Sequence, residues 1–214
     1  SLPTAPPLRR QHRLPRHGHH LAAAAAASAA AAAAARGRTR LTARTLGRHL
    51  LPQRALFSAQ AGKFDGSVSS EGELGTAEFR MHFKNASGKA ISPWHDIQLR
   101  TGQDGILNAV IEIPKMTTAK MEVATKEENN PIAQDIKKGK VRNYHGPIFW
   151  NYGLLPQTWE DPNIEDPETG CKGDNDPVDV VEIGSAALPM GTVVPVKPLG
   201  VLAMIDEGEL DWKI

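Results

Sequence analysis

Three aspartates lie within six residues of one β-prone stretch of the sequence. The stretch reads Gly173-Asp174-Asn175-Asp176-Pro177-Val178-Asp179-Val180. In an extended backbone Asp174 and Asp176 project from one face, because side chains alternate with a period of two. Carboxylates this close together repel one another and raise one another's pKa unless a cation lies among them. Hard oxygen ligands of this kind suit Mg²⁺, Mn²⁺ or Ca²⁺ rather than zinc.

The pattern Asp-x-Asp is not specific by itself, because it is common in solvated turns. A calcium loop of the EF-hand type requires Gly at its sixth position, where this sequence has Asp179. A second acidic run, residues 206–213, follows another apolar β-type segment and contains Asp206 and Asp211. We therefore predict that two separate acidic turns converge on one cluster of divalent ions.

Charge is distributed unevenly along the 214 residues, whose formal net charge is +1. Residues 1–63 contain ten Arg, one Lys and no acid, so the rest of the chain, with 14 basic and 24 acidic residues, has a net charge of −10. An acidic body argues against a nucleic-acid partner and fits a cation-loaded site. The single cysteine, Cys171, excludes an internal disulfide and is typical of a reducing compartment. No apolar run is long enough to predict a membrane span.

The N-terminal segment, residues 1–62, has the composition of an organelle transit peptide. It is rich in Arg, Ala, Ser, Thr and Pro and lacks acids. Such a low-complexity segment is expected to be disordered before import. We expect a Gly/Ser/Glu-rich linker at 63–77 and a folded body at 78–214.

The body contains many short β-type segments separated by Gly and Pro turns, which predicts an all-β barrel or sandwich. Strands are expected at 77–84, 106–113, 120–124, 191–198 and 199–205, with a last one after Gly208 and a hairpin tip at 137–140. Because the last strand is still in progress at Ile214, we expect a closing strand and a C-terminal helix to be missing from the chain.

Charged residues interrupt two of these predicted strands. Glu112 lies inside the apolar run 106–113, and a buried carboxylate needs a partner. Lys120 and Glu122 share one face of the next strand. A surface ion pair that contributes little is the alternative to a functional role for these two residues.

The body resembles the family I soluble inorganic pyrophosphatases, most closely their plastid-targeted eukaryotic members. The motifs that carry the similarity follow the family's order: 110–114, 119–122, 138–139, 150–153, 156–162, 173–179 and 204–213. The resemblance implies a mainly β fold, an OB-type five-stranded barrel with flanking helices that make the complete family α+β. It implies Mg²⁺-dependent hydrolysis of inorganic pyrophosphate to two orthophosphates. It also implies a chloroplast location, with the mitochondrion as the alternative.

The resemblance assigns a role to each candidate site residue. The metal ligands would be Asp174, Asp179, Asp206, Asp211 and Glu122, with Asp179 bridging two activating ions. Asp176 would take the proton of the attacking water, with Tyr152 and Arg142 as further catalytic residues. The phosphate oxygens would be contacted by Lys120, Arg142, Tyr152 and Lys213. Glu112 would lie behind these residues and support them without binding metal or phosphate itself.

Two features depart from the family pattern. Ile148 stands where members commonly have a second tyrosine, which leaves Tyr144 or a water to fill that role. The family also carries a Tyr-Lys pair beyond the position of Ile214. We therefore expect the 214-residue chain by itself to be inactive or unstable, and the intact parent protein to be an active enzyme.

Two functions of other classes are alternatives. One is a non-catalytic barrel that binds oligonucleotides or oligosaccharides, and the other is a structural Ca²⁺-binding module. The first would need a basic face with aromatic residues, whereas only 5% of the residues are aromatic and the body is acidic. Both a monomer and a dimer are compatible with the sequence.

Overall fold

The computed structural model describes residues 64–214, which consist of β-strands and loops without an α-helix. The mainly β prediction is therefore confirmed for this part of the chain, and the predicted transit peptide lies outside it. The strands are β1 (Ser67–Glu71), β2 (Arg80–Lys84), β3 (Ala90–Ile91), β4 (Leu107–Ile113), β5 (Met121–Val123), β6 (Ile132–Gln134), β7 (Ile136–Lys137), β8 (Lys140–Val141), β9 (Asn151–Leu154), β10 (Asp179–Glu182), β11 (Val193–Val196), β12 (Leu202–Asp206) and β13 (Glu209–Lys213).

These strands form two larger sheets and one small hairpin. The first sheet has the order β1-β2-β6-β5, with β3 beside β2, and the second has the order β11-β4-β9-β10-β13-β12. Strands β7 and β8 pair with each other at the predicted hairpin tip. In the second sheet β10 and β13 run parallel, with Asp179 opposite Lys213. This parallel pair brings the two acidic runs of the sequence side by side.

Strand β4 is apolar on both faces because it lies between two core clusters. Val110 and Ile113 belong to a larger cluster, and Ala109 belongs to a smaller one. Burial on both faces produces a continuous apolar run rather than an alternating one. The predicted strand at 106–113 is thus confirmed.

Glu112 is the extra residue of a β-bulge in this buried strand. Ile111 pairs with Gly153, and Ile113 pairs with the next residue back, Tyr152. The carboxyl group is 3% exposed, and its Oε1 accepts a hydrogen bond from the Val123 amide at 2.8 Å. Burial raises the pKa of Glu112 well above its ordinary value, and the nearby Asp179 adds to the shift. The partner that a buried carboxyl requires is therefore a backbone N–H.

The stretch expected to be a linker, residues 63–77, contains a strand instead. Strand β1 pairs antiparallel with β2 along its whole length, from Ser67 opposite Lys84 to Glu71 opposite Arg80. All five residues of β1 are exposed. Because this edge strand contributes backbone hydrogen bonds and buries no apolar face, its composition is that of a linker.

Within residues 64–214 we find no helix long and apolar enough to cross a membrane.

Candidate metal and anion site

Three carboxylates from three separate segments form one cluster. One oxygen each of Glu160, Asp174 and Asp211 lies within 4.8 Å of the other two. Glu160 follows β9, Asp174 lies in the loop before β10, and Asp211 lies on β13. Glu160 and Asp211 are buried, and Asp174 is partly exposed. Such a group of hard oxygen donors fits a divalent cation such as Mg²⁺.

Backbone hydrogen bonds hold the Asp174 loop against the Glu160 segment. The Asn175 amide donates to the Glu160 carbonyl at 3.0 Å, and the Glu160 amide donates to the Asp176 carbonyl at 2.9 Å. A Cβ atom at Gly173 would lie 2.4 Å from the carbonyl carbon of Glu160, so only glycine permits this close approach. The Asp176 amide donates to Asp174 Oδ1 at 2.9 Å, which orients the Asp174 carboxylate.

Strand β13 fits between the same two segments. The Leu210 amide donates to the Lys172 carbonyl at 2.7 Å, and the Ile214 amide donates to the Asp179 carbonyl at 2.9 Å. The Trp212 amide donates to the Glu160 carboxylate, 3.1 Å from Oε1. These bonds place Asp211 beside Glu160 and Asp174, which lie 51 and 37 residues earlier in the sequence.

Lys213 joins the acidic cluster to a second group of polar side chains. Its ammonium group lies 2.5 Å from Asp211 Oδ1 and donates to the Tyr152 hydroxyl at 2.8 Å and to Asp179 Oδ2. The Tyr152 hydroxyl in turn donates to Asp179 Oδ2. Asp179 therefore contacts the Lys213 ammonium and the Tyr152 phenol. The third carboxylate of the cluster is that of Glu160, and not that of Asp179 as the sequence predicted.

In a third group of polar side chains, one carboxylate accepts hydrogen bonds from two cationic side chains. Asp135 Oδ2 accepts hydrogen bonds from Lys120 Nζ at 3.0 Å and from Arg142 Nη1 at 2.6 Å. Lys120 also lies 2.8 Å from Glu122. The side chain of Asp135 is 11% exposed and that of Arg142 is 41% exposed, so the acid is shielded while the guanidinium reaches solvent. The predicted phosphate-binding residues Lys120 and Arg142 thus share a single anchor.

The β-type pairing next to this group places Tyr144 on the same face. Ala119 pairs antiparallel with Asn143, so that Lys120 stands opposite Arg142 and Thr118 opposite Tyr144. Since side chains alternate, Lys120, Arg142 and Tyr144 project to one side. Ile148, at the position of the tyrosine common in the family, is buried in the larger apolar cluster.

Burial and mutual repulsion raise the pKa values of the clustered acids. Burial raises the pKa of Glu160 to about 9, and the nearby Asp174 adds to the shift. Burial also raises the pKa of Asp174, and Asp211 contributes. The pKa of Asp179 rises to about 7 because burial outweighs the opposing effect of Lys213. A divalent cation would relieve this cost, since it favours the charged form of every carboxylate around it.

Two further predicted site residues lie outside the three-carboxylate cluster. Asp176 is exposed, yet burial of its carboxyl group and the charges of Asp174 and Glu122 raise its pKa to about 6. The charges of Asp174 and Glu122 both act on its carboxyl group, so Asp176 lies near the three-carboxylate cluster and near the Lys120 group. Asp206 is exposed at the end of β12, on the face of the hairpin that also carries Asp211.

Sequence reasoning missed two residues of this site, Glu160 and Asp135. Glu160 lies in a loop between Pro156 and Pro162 and has no spacing relation to the acidic runs. Asp135 follows the buried strand β6 directly. Asp135 could have been predicted from its position in the sequence between Lys120 and Arg142, the two predicted phosphate-binding residues. Lys and Arg side chains that lie close together need a counter-charge.

Comparison with known proteins gives a consistent result. The model of the inorganic pyrophosphatase family matches residues 109–214. The chain is 59% identical over 148 residues to "Soluble inorganic pyrophosphatase 6, chloroplastic" of Arabidopsis thaliana, which covers 69% of the chain and 49% of that relative. It is 56% identical over 161 residues to "Soluble inorganic pyrophosphatase 1, chloroplastic" of Chlamydomonas reinhardtii, with 75% and 57% covered. The chain thus spans about half the length of the curated relatives it matches.

Solved structures show the same similarity. The type I inorganic pyrophosphatase of Toxoplasma gondii has 48% identity and a TM-score of 0.65, with 69% of this chain and 67% of that chain covered. The N-terminally truncated vacuolar soluble pyrophosphatase of Trypanosoma cruzi, solved in complex with PPi, has 39% identity and a TM-score of 0.62. That match covers 83% of this chain and 70% of the other.

Proposed function

Because the chain belongs to the inorganic pyrophosphatase family, we propose that the protein hydrolyses inorganic pyrophosphate to two orthophosphates with Mg²⁺ as cofactor. The observation that carries this proposal is the cluster of Glu160, Asp174 and Asp211 directly beside the ammonium of Lys213. An acidic pocket for cations next to a cationic group for phosphate is the arrangement that a metal-bound diphosphate requires.

The acidic residues would hold the metal ions. Asp174 and Asp211 have converging oxygens, and Glu160 completes their cluster. Similarity to the family adds Asp179, Asp206 and Glu122 as ligands, with Glu112 as a support behind them. When bound, Mg²⁺ would neutralise charge on the diphosphate and lower the pKa of a coordinated water.

Asp176 is the residue that would take a proton from the attacking water. Its pKa of about 6 leaves it largely ionised at pH 7 to 8, and therefore able to accept a proton. The residue is exposed, so the proton can pass on to solvent. The negative charge of Glu122 raises the pKa of Asp176. A proton accepted by Asp176 would therefore reduce the repulsion between these two carboxylates.

The basic and phenolic groups would bind the phosphate oxygens. The cationic side chains of Lys120, Arg142 and Lys213 can stabilise charge that develops on the leaving phosphate. Burial and the neighbouring Asp179 raise the pKa of Tyr152 far above its ordinary value, so its phenol remains a hydrogen-bond donor. Tyr144, on the face of Lys120 and Arg142, offers a second phenol where Ile148 cannot.

Replacing Asp135 with Asn tests how the phosphate-binding side chains are held. The change keeps the shape but weakens the hydrogen bonds to Lys120 and Arg142. We expect KM for pyrophosphate to rise about tenfold, equivalent to about 1.4 kcal/mol, with a smaller change in kcat. Steady-state phosphate release over a range of pyrophosphate concentrations measures both constants. The exposed Asp104 provides the control Asp104→Asn, and a KM within twofold of the unmodified protein would contradict the assignment.

Phosphate release from pyrophosphate by the intact protein tests the proposed function. We expect turnover that requires Mg²⁺ and is inhibited by Ca²⁺. Tight Ca²⁺ binding without hydrolysis would instead support the structural module. A parallel assay of residues 63–214 tests the expectation that this part alone lacks full activity.

We also propose how the protein is organised and where it acts. The basic composition of residues 1–62 and the chloroplastic names of two relatives support import into the chloroplast, with the mitochondrion as the alternative. The described strands would belong to an OB-type five-stranded barrel in the complete fold. Pyrophosphate is the proposed partner, without nucleic acid or membrane, and the protein would act as a monomer or dimer.

A further inference from the structure

Trp159 and Asn175 join the two segments that carry Glu160 and Asp174. The indole Nε1 of Trp159 donates a hydrogen bond to Asn175 Oδ1 at 3.1 Å. Trp159 directly precedes Glu160, and Asn175 directly follows Asp174. The Trp159 side chain belongs to a residue that is 43% exposed, so core packing alone does not hold the ring.

The backbone of Asn175 ties this contact to the orientation of Asp174. Asn175 has a φ of 74°, a left-handed conformation that Asn and Gly adopt more readily than other residues. This turn directs the Asp176 amide to Asp174 Oδ1 at 2.9 Å. A change in the position of Asn175 would therefore change the direction of the Asp174 carboxylate.

A cation site needs its oxygens placed more accurately than main-chain pairing provides. Mg²⁺ demands near-ideal octahedral geometry, and ligand groups must be held to about 0.5 Å. Backbone hydrogen bonds already pair the two segments, including the one from the Asn175 amide to the Glu160 carbonyl at 3.0 Å. The hydrogen bond between Trp159 and Asn175 adds a side-chain constraint to the same pairing.

We propose that the hydrogen bond between Trp159 and Asn175 positions the Glu160 and Asp174 carboxylates for a divalent cation. Both are positioning residues, because the cluster consists of the carboxylates of Glu160, Asp174 and Asp211. The inference rests on the proposed function for the identity of the ion. It adds a residue pair that sets how tightly this part of the site binds the ion.

The variant Trp159→Phe tests the proposal, because it retains an aromatic ring and removes the N–H donor. Titration calorimetry of the intact protein with Mn²⁺, in the absence of pyrophosphate, gives the dissociation constant. We expect Mn²⁺ to bind about fivefold more weakly, the usual effect of one neutral hydrogen bond. The unfolding midpoint in EDTA should stay close to that of the unmodified protein. Trp150→Phe, at a residue of similar exposure (37%), should bind Mn²⁺ normally.

A second variant, Asn175→Gly, removes the acceptor and keeps the left-handed turn accessible. We expect the same fivefold loss, and no further loss in the double variant, because both substitutions break one interaction. Unchanged Mn²⁺ affinity in Trp159→Phe, or additive losses in the double variant, would overturn the proposal. Absence of pyrophosphate hydrolysis would contradict the proposed function and leave these binding results unaffected.

Discussion

Replacing Asp211 with Asn is expected to lower the rate of pyrophosphate hydrolysis about a thousandfold while the protein remains folded. Asp211 contributes to both halves of the site, since it lies in the cluster with Glu160 and Asp174 and contacts the Lys213 ammonium. The amide retains the shape of the side chain but removes one negative charge from the cation site. Loss of several kcal/mol of metal-dependent stabilisation, at 1.36 kcal/mol for each factor of ten, gives about this decrease.

The rate and the metal affinity should fall together in this variant. Phosphate release measures the first, and calorimetric titration with Mn²⁺ measures the second. Glu209 lies two residues earlier on the same strand and is exposed, so Glu209→Gln is the matched control and should keep normal turnover. Full activity of Asp211→Asn, or an equal loss in Glu209→Gln, would show that the cluster is not the catalytic metal site.

Two strands were predictable because their side chains follow a pattern of burial. Strand β4 was readable because both of its faces are apolar, and β5 because Met121 and Val123 alternate with Glu122. Strand β1 could not be predicted from the sequence, because all five of its residues are exposed and only its backbone pairs with β2. Exposed edge strands carry little pattern that distinguishes them from linkers.

The members of the three-carboxylate cluster were predictable where they lie in acidic runs of the sequence, and not where pairing of distant segments brings a single acid to them. Asp174 and Asp211 belong to acidic runs that could be recognised, whereas Glu160 is a single acid brought to them by pairing of distant segments. The parallel contact between β10 and β13 depends on the whole sheet order, which local spacing does not encode. The bulge at Glu112 likewise becomes visible only in the register with β9.

Replacing Lys213 with Met is expected to destabilise the metal-free protein strongly at high pH and only slightly at low pH. The unfolded chain releases the Asp179 proton near its ordinary pKa of 3.8, whereas the folded protein keeps it to about pH 7. Since the folded state binds the extra proton, Asp179 lowers the free energy of unfolding progressively as pH rises from about 4 to 7. Lys213 limits this cost, because its charge opposes the effect of burial on the pKa of Asp179.

Without the ammonium, the folded-state pKa of Asp179 rises further and the cost keeps growing above pH 7. We expect a loss of about 2 to 3 kcal/mol at pH 9, from the change of 1.36 kcal/mol per pKa unit and the usual cost of an unpaired buried charge. At pH 5 the folded protein holds the Asp179 proton with or without Lys213, so the loss should stay below about 1 kcal/mol. Urea unfolding in EDTA at the two pH values measures the difference, with the exposed Lys197 replaced by Met as the control. Equal losses at pH 5 and pH 9 would mean that Lys213 stabilises the fold by packing or through its contact with Asp211, and not through the ionisation of Asp179.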